Sequence, residues 1–346
     1  MRFLPRPPQK NMNLLDQLIK DEKKINRKLY SSGPYWSYKN LKSIIEIKKK
    51  GISNFRGINS GAGTSFTDSL PCDIRNELGN KGRLIKGFFS LPIVRKIFNL
   101  QLSQTTGYLY SYLNILSLIY SDNEKVKKLL QKYKFQNTTE FDCVKKFTYK
   151  KKEYSIHYLE MANRIENLSA KFNFLNSKSF FEIGGGFGAN VHFMITNFPN
   201  IKKIIYLDIV PNIFVGTKYL KKHFGESVVD YFDTRSLTEI KFKDNDDLEI
   251  ICIPPWEIEK LNLKIDHFHN ASSFVEMPKE VIKNYCKFIK KFQVKEISLV
   301  SYDNHDEQTT FNPKSLNNFF DNELNVITHD SLIKEFKKKE IYLHSN

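Results

Sequence analysis

Cysteine is scarce in this 346-residue chain: only Cys72, Cys143, Cys252 and Cys286, widely spaced and with no CxxC pair. Such spacing supplies neither a zinc ribbon nor a disulfide framework, so free thiols in a reducing cytoplasm are expected. The N-terminus MRFLPRPPQKNMNLLDQ is basic but lacks the apolar core of a signal peptide. Residues 97–121 carry no charge, and YLYSYLNILSLIY within them is apolar, yet Asn99, Gln101, Gln104 and Gly107 interrupt the stretch. A spanning helix needs about 20 predominantly apolar residues. A buried helix pair broken near Thr106-Gly107, in a soluble cytoplasmic protein, is therefore the expectation. Internal repeats and low-complexity tracts are absent, and 40% hydrophobic with 27% charged residues excludes a disordered or collagenous chain.

Acidic residues are few in one half only. Residues 1–150 hold 28 Lys and Arg against 11 Asp and Glu, a balance of +17, whereas residues 151–346 hold 26 against 27. A basic face would attract an anionic partner such as nucleic acid, a phosphorylated glycan, a sugar nucleotide or an acidic membrane surface. Compositional bias toward Lys, Asn and Ile is the alternative, although bias alone would enrich both halves.

Residues 12–50 have helical spacing broken at Gly33-Pro34, and residues 51–70 form a Gly/Ser/Asn-rich loop containing Phe55 and Arg56. Helices are expected at 91–103, 108–120 and 123–134, and KKFTYKKKEY (145–154) is a basic junction. From about residue 155 helices and short apolar strands alternate: SFFEI, IKKIIYLDIV, LEIICI, IDHFHNAS and KEISLVSYD, with helices at 155–172, 212–223 and 278–292. That alternation predicts an α/β fold with a doubly wound parallel sheet at 151–346, behind a basic, mainly helical accessory or substrate domain at 1–150.

The sharpest chemical feature is FFEIGGGFGAN, where a strand runs into a glycine turn that opens a helix. Glycines there allow a tight turn and close approach of a ligand. Asp208 closes the next strand, placed to accept from a ribose diol. Read as Gly184-x-Gly186-x-x-Ala189, the turn fits a dinucleotide fingerprint. Read as Glu182-x-Gly184-x-Gly186-x-Gly188, with Phe187 inside it, it resembles motif I of class I S-adenosylmethionine-dependent methyltransferases. Glu182 separates the two: an unpaired strand carboxylate is costly, whereas in the methyltransferases an acid there faces the cationic methionyl end of the cofactor.

The resemblance extends over about residues 175–305. IDHFHNASSFVEMPKEVIKNY is similar to the class I group of sugar O-methyltransferases, in which a D-apolar-apolar-apolar-N strand runs into S-F/M-x-E-M and a helix bearing Tyr. The matching positions are Asp266, Asn270, Ser273, Phe274, Glu276, Met277 and Tyr285; His267, His269 and Val275 depart from the pattern. The resemblance implies a Rossmann-like methyltransferase sheet, S-adenosylmethionine as cofactor, and a sugar or glycan hydroxyl as acceptor in surface-polysaccharide synthesis. With the basic first half, the acceptor would carry phosphate or a nucleotide. Asn270 would orient cofactor or substrate, and Trp256 would flank adenine or simply pack. Pro254-Pro255-Trp256 is led by Ile253, which cannot hold a base amine as the box of amino-methyltransferases does.

Methyl transfer to a hydroxyl needs alignment and a proton acceptor but no metal. Glu276 is the first candidate base, followed by Asp303 and His305; helix capping is the plain alternative for Glu276. His267 and His269 share a strand face but lack a completing ligand set, which favours packing. The tail run KEFKKKE reads as a solvated helix face. An RNA or DNA methyltransferase, an NAD(P)-dependent oxidoreductase and a non-catalytic glycan-binding protein are the competing functions.

Overall fold

The computed structural model describes residues 9–25, 27–57, 91–92, 117–303, 312–333 and 339–345. The helices expected at 91–103 and 108–120, most of the 51–70 loop, Cys72 and His305 lie wholly or largely outside the described residues. Helices α1 (Gln9–Glu22) and α2 (Gly33–Lys50) lie near the N-terminus, with one helical turn at Arg27–Tyr30 between them, and α3 (Glu124–Lys132) comes later. The basic junction is a hairpin of β1 (Lys146–Tyr149) and β2 (Lys152–Ser155), turned by Lys150 and Lys151 at positive φ.

The α/β part follows as α4 (Ile156–Ser169), β3 (Ser179–Ile183), α5 (Ala189–Asn197), β4 (Lys203–Leu207), α6 (Asn212–Phe224), β5 (Val228–Val229) and β6 (Glu249–Ile253). It continues as β7 (His267–Ala271), α7 (Lys279–Lys291), β8 (Glu296–Tyr302), β9 (Asn325–Asp330) and β10 (Lys339–His344). One eight-stranded sheet runs β5-β6-β4-β3-β7-β8-β10-β9. The first six strands are parallel, and β10 enters antiparallel to both neighbours. This is the doubly wound, Rossmann-like sheet that the alternation of elements predicts. The tail departs from its expectation: Lys339 and Glu340 belong to a strand, and Glu340 is buried against Arg164.

β3, β4 and β6 are buried along their whole length apart from Lys203, which explains why they are mostly apolar. Alternate residues feed two cores. Phe180, Ile204, Tyr206, Ile250 and Cys252 pack on one face with α4, α5 and α6. Phe181, Ile205, Leu207, Ile251 and Ile253 pack on the other with α7. Leu14, Leu15 and Leu18 of α1 and Phe55 join the first core, so the N-terminal helices rest on the sheet layer.

The chain passes from β3 to β4, out to the edge at β5 and back to β6 between them, then crosses to β7 on the other side of β3. The carboxyl ends of β3 and β7 therefore flank the switch point, where doubly wound sheets leave a crevice.

Candidate active site

β3 delivers Glu182 and Ile183 to that crevice and then turns. Gly184 has φ +75°, and a side chain there would place Cβ 2.1 Å from Ser273 Oγ. Only glycine accepts both the left-handed backbone and the contact. The turn is held from three directions. Gly184 N–H donates to Leu207 O at 2.8 Å, and Gly186 N–H donates to Asp208 Oδ2 at 2.7 Å. Tyr206 OH donates to Gly186 O at 2.5 Å from beneath. Gly188 then forms the N-cap of α5.

Two acids sit under the turn. Glu182 is 1% exposed; its Oε1 accepts from Asn190 Nδ2 at 3.0 Å, and its buried Oε2 has no hydrogen-bond partner among the described residues. Burial pushes its carboxyl up to about 8, opposed by the Asn190 bond. Asp208 also accepts from Ile209 N–H at 2.7 Å, yet burial still pushes it up to about 7.

A cavity of about 280 Å³ opens over these groups, near the lower bound of small-molecule sites. One wall is a face of α4 that presents His157, Glu160, Met161 and Arg164 at helical spacing. Arg164 is held there by a buried ion pair to Glu340 at 2.6 Å and lies over the Tyr302 ring. Burial, with Arg56 and Arg164 nearby, holds the His157 imidazole well below its ordinary range and so neutral. A second wall is the segment after β7, with Ser272, Ser273 and Glu276. Ser31, Ser32, Trp36 and Lys39 complete the enclosure from the N-terminal region. Trp36 Nε1 donates to Glu276 Oε2 at 3.0 Å, and burial pushes the Glu276 carboxyl up to about 7 against that bond.

Of the residues singled out in the sequence, Glu182, Gly184, Gly186, Phe187, Asp208 and Glu276 all line this one cavity. Asn270 is a brace instead: its Nδ2 donates to Ile183 O at 2.8 Å and to Ser273 Oγ, and its Oδ1 accepts from Phe274 N–H. It fixes the segment that carries Glu276. Trp256 lies outside the lining, edge-on to Tyr231 and donating to its hydroxyl at 3.2 Å. Asp303 is exposed beyond the end of β8, one residue past Tyr302. His267 and His269 are buried and share Ser298 Oγ, with Glu296 on the far nitrogen of His267. Among the described residues no group of three or more His, Cys, Asp or Glu could hold a metal ion.

Trp36, Arg164 and Tyr302 carry no mark in the sequence. Each comes from a different element, and none has a local motif. Arg56 proves to be a buried clamp. It donates to Thr138 O at 2.7 Å, Cys143 Sγ and Ser155 Oγ, and its guanidinium lies 4.9 Å from the Phe187 ring centre.

No protein-family model matches the chain, and no curated protein does. Similar solved structures include a SAM-dependent methyltransferase from Aquifex aeolicus, at 11% identity over 52% of this chain and 89% of that one, TM-score 0.35. Magnesium protoporphyrin IX methyltransferase from Synechocystis PCC 6803, with bound SAH, is 9% identical over 55% of this chain and 84% of its own, TM-score 0.37. The mitomycin 7-O-methyltransferase MmcR is 11% identical over 80% of this chain and 74% of its own, TM-score 0.37.

Proposed function

We propose that the chain is an S-adenosylmethionine-dependent O-methyltransferase acting on a sugar hydroxyl of a glycan or sugar nucleotide. The observation that carries the reading is Glu182: a buried carboxylate facing a cavity, with one oxygen left without a partner beneath the glycine turn. Such a group calls for a cationic ligand, and the methionyl ammonium supplies one. A dinucleotide would put its pyrophosphate on the turn and helix N-terminus. Here the Gly186 N–H is occupied by Asp208, and neither Glu182 nor Asp208 offers the phosphates a cation.

Bound there, the cofactor supplies an electrophilic methyl on a sulfonium. Glu182 would hold its ammonium and Asp208 its ribose hydroxyls. Glu276 is proposed as the base. Its carboxylate would take the acceptor proton as the oxygen–carbon bond forms and the carbon–sulfur bond breaks. A carboxyl near 7 suits that task at neutral pH. Trp36 would hold the carboxyl by Oε2 in the cavity, with the Lys39 charge nearby. Glu160, Arg164, Ser272 and Tyr302 give the remaining wall the donors and acceptors that a polyol uses. The sugar acceptor itself is supported by the S-F-V-E-M segment alone, and a cytoplasmic place in polysaccharide synthesis follows from that resemblance.

Calorimetric titration with S-adenosylhomocysteine, with NAD as control, tests the cofactor. Micromolar binding of S-adenosylhomocysteine, none of NAD, and loss in Asp208→Ala are expected. Binding of NAD instead would overturn the reading. Labelled-methyl transfer to sugar nucleotides and glycans, beside RNA, then tests the acceptor; efficient labelling of RNA alone would exclude the sugar.

A further inference from the structure

Helix α2 has two faces of different character. Asn40, Ser43 and Ile47 point into the protein and are buried, and Trp36 and Lys39 line the cavity. The opposite face carries Tyr38, Leu41 and Ile45, which are 76%, 59% and 56% exposed. At about 100° per residue these three fall within about 60° of arc. Single exposed apolar residues are ordinary, but a solvated helix face is normally polar. The stripe has a rim: exposed Lys48 lies on one side and exposed Lys42 and Lys49 on the other. Glu46, the one acid of the helix, is paired with Lys50 at 2.6 Å. Lys48 also reaches Asp16 at 2.5 Å, which ties this edge to α1.

We infer that this face of α2 docks on an anionic lipid bilayer, with Tyr38, Leu41 and Ile45 entering the headgroup boundary and the lysines meeting lipid phosphates. An apolar stripe with a lysine border on each side is the arrangement of helices that lie in the membrane interface, and the lysine stems can extend past the stripe to the headgroups. A second copy of the chain fits poorly, because a two-fold contact would set the lysine rims against each other. Among the described residues no helix is long and apolar enough to cross a membrane. Docking holds whatever reaction the cavity performs. It places the helix that supplies Trp36 and Lys39 between the cavity and the bilayer.

Flotation with vesicles tests this without any substrate. The full chain should float with phosphatidylcholine vesicles containing phosphatidylglycerol, less so as salt rises, and should stay behind with phosphatidylcholine alone. Leu41→Glu/Ile45→Glu should weaken binding about tenfold or more. Lys42→Glu/Lys49→Glu should weaken it at least about fivefold per lysine. Both variants should keep the wild-type thermal midpoint, since the altered side chains are exposed. No flotation, equal flotation on neutral vesicles, or equal binding by both variants would overturn the proposal. So would a wild-type dimer that Leu41→Glu/Ile45→Glu splits, which would make the stripe a protein contact.

Discussion

Glu182 is where sequence and energetics meet at the scale of single residues. A carboxyl raised by burial is protonated in the free protein at neutral pH, and a cationic ligand would bind it ionised. Ligand binding should therefore release a proton below about pH 8 and strengthen as pH rises toward that value. Calorimetry of S-adenosylhomocysteine in two buffers of different ionisation enthalpy would read the release directly. In Glu182→Gln the release should shrink and affinity should fall about 10- to 100-fold, the range of a charge-assisted hydrogen bond. The two acids and the glycine turn were legible because they lie within 27 residues of one another on consecutive strand ends. Trp36 and Tyr302 are 266 residues apart, and nothing local marks either as a wall of the same cavity.

Between elements, the contact that sets the turn is β4 against α6. Gly216 of α6 leaves space for the Tyr206 ring, and a Cβ there would fall 2.1 Å from its hydroxyl. Gly216→Ala should push Tyr206 off Gly186 O and destabilise the fold by about 1–3 kcal/mol. Tyr206→Phe, which removes only the hydroxyl, should cost about 1 kcal/mol. The double variant should cost less than the sum, because both act through one contact; urea denaturation of the three proteins checks this. Strands β3, β4 and β6 are readable as mostly apolar runs, since burial on both faces leaves little polar phase to confuse, and β7 and β8 are readable from their place in the alternation of elements. β9 is not: as an edge strand it is mostly exposed, and NVITHD gives no clear alternation. The β1–β2 hairpin was hidden by its lysines, four of them within Lys146–Lys152.

Over the whole molecule, two populations of buried titratable groups oppose each other. His157, His192, His267 and His269 are held neutral by burial. Unfolding lets them protonate, so their contribution to stability is lost as pH falls below about 6.5. Glu182, Asp208 and Glu276 are raised, so the folded state binds more protons than the unfolded one above the ordinary carboxylate range. Their contribution is lost as pH rises toward 8. Between about pH 7 and 8 the carboxyls dominate, because the unfolded histidines are by then mostly neutral, and stability without ligand should fall by about 1 kcal/mol over that window. Thermal unfolding across pH would trace the decline, and Glu182→Gln should flatten its upper part. A rise in stability over the window would refute the assignment.

The Arg56 clamp bears on how such a protein can diversify. Its guanidinium ties the end of the N-terminal helical stretch to Ser155 and to the ring of Phe187 in the glycine turn. The leucines of α1 are buried in the same core as Phe187. Exchange of the first 57 residues for an unrelated module would remove Arg56 and the α1 leucines together, and with them the packing behind the glycine turn. A module that kept the turn in place would have to bring its own counterpart of that clamp, whereas point changes at the cavity wall leave it untouched.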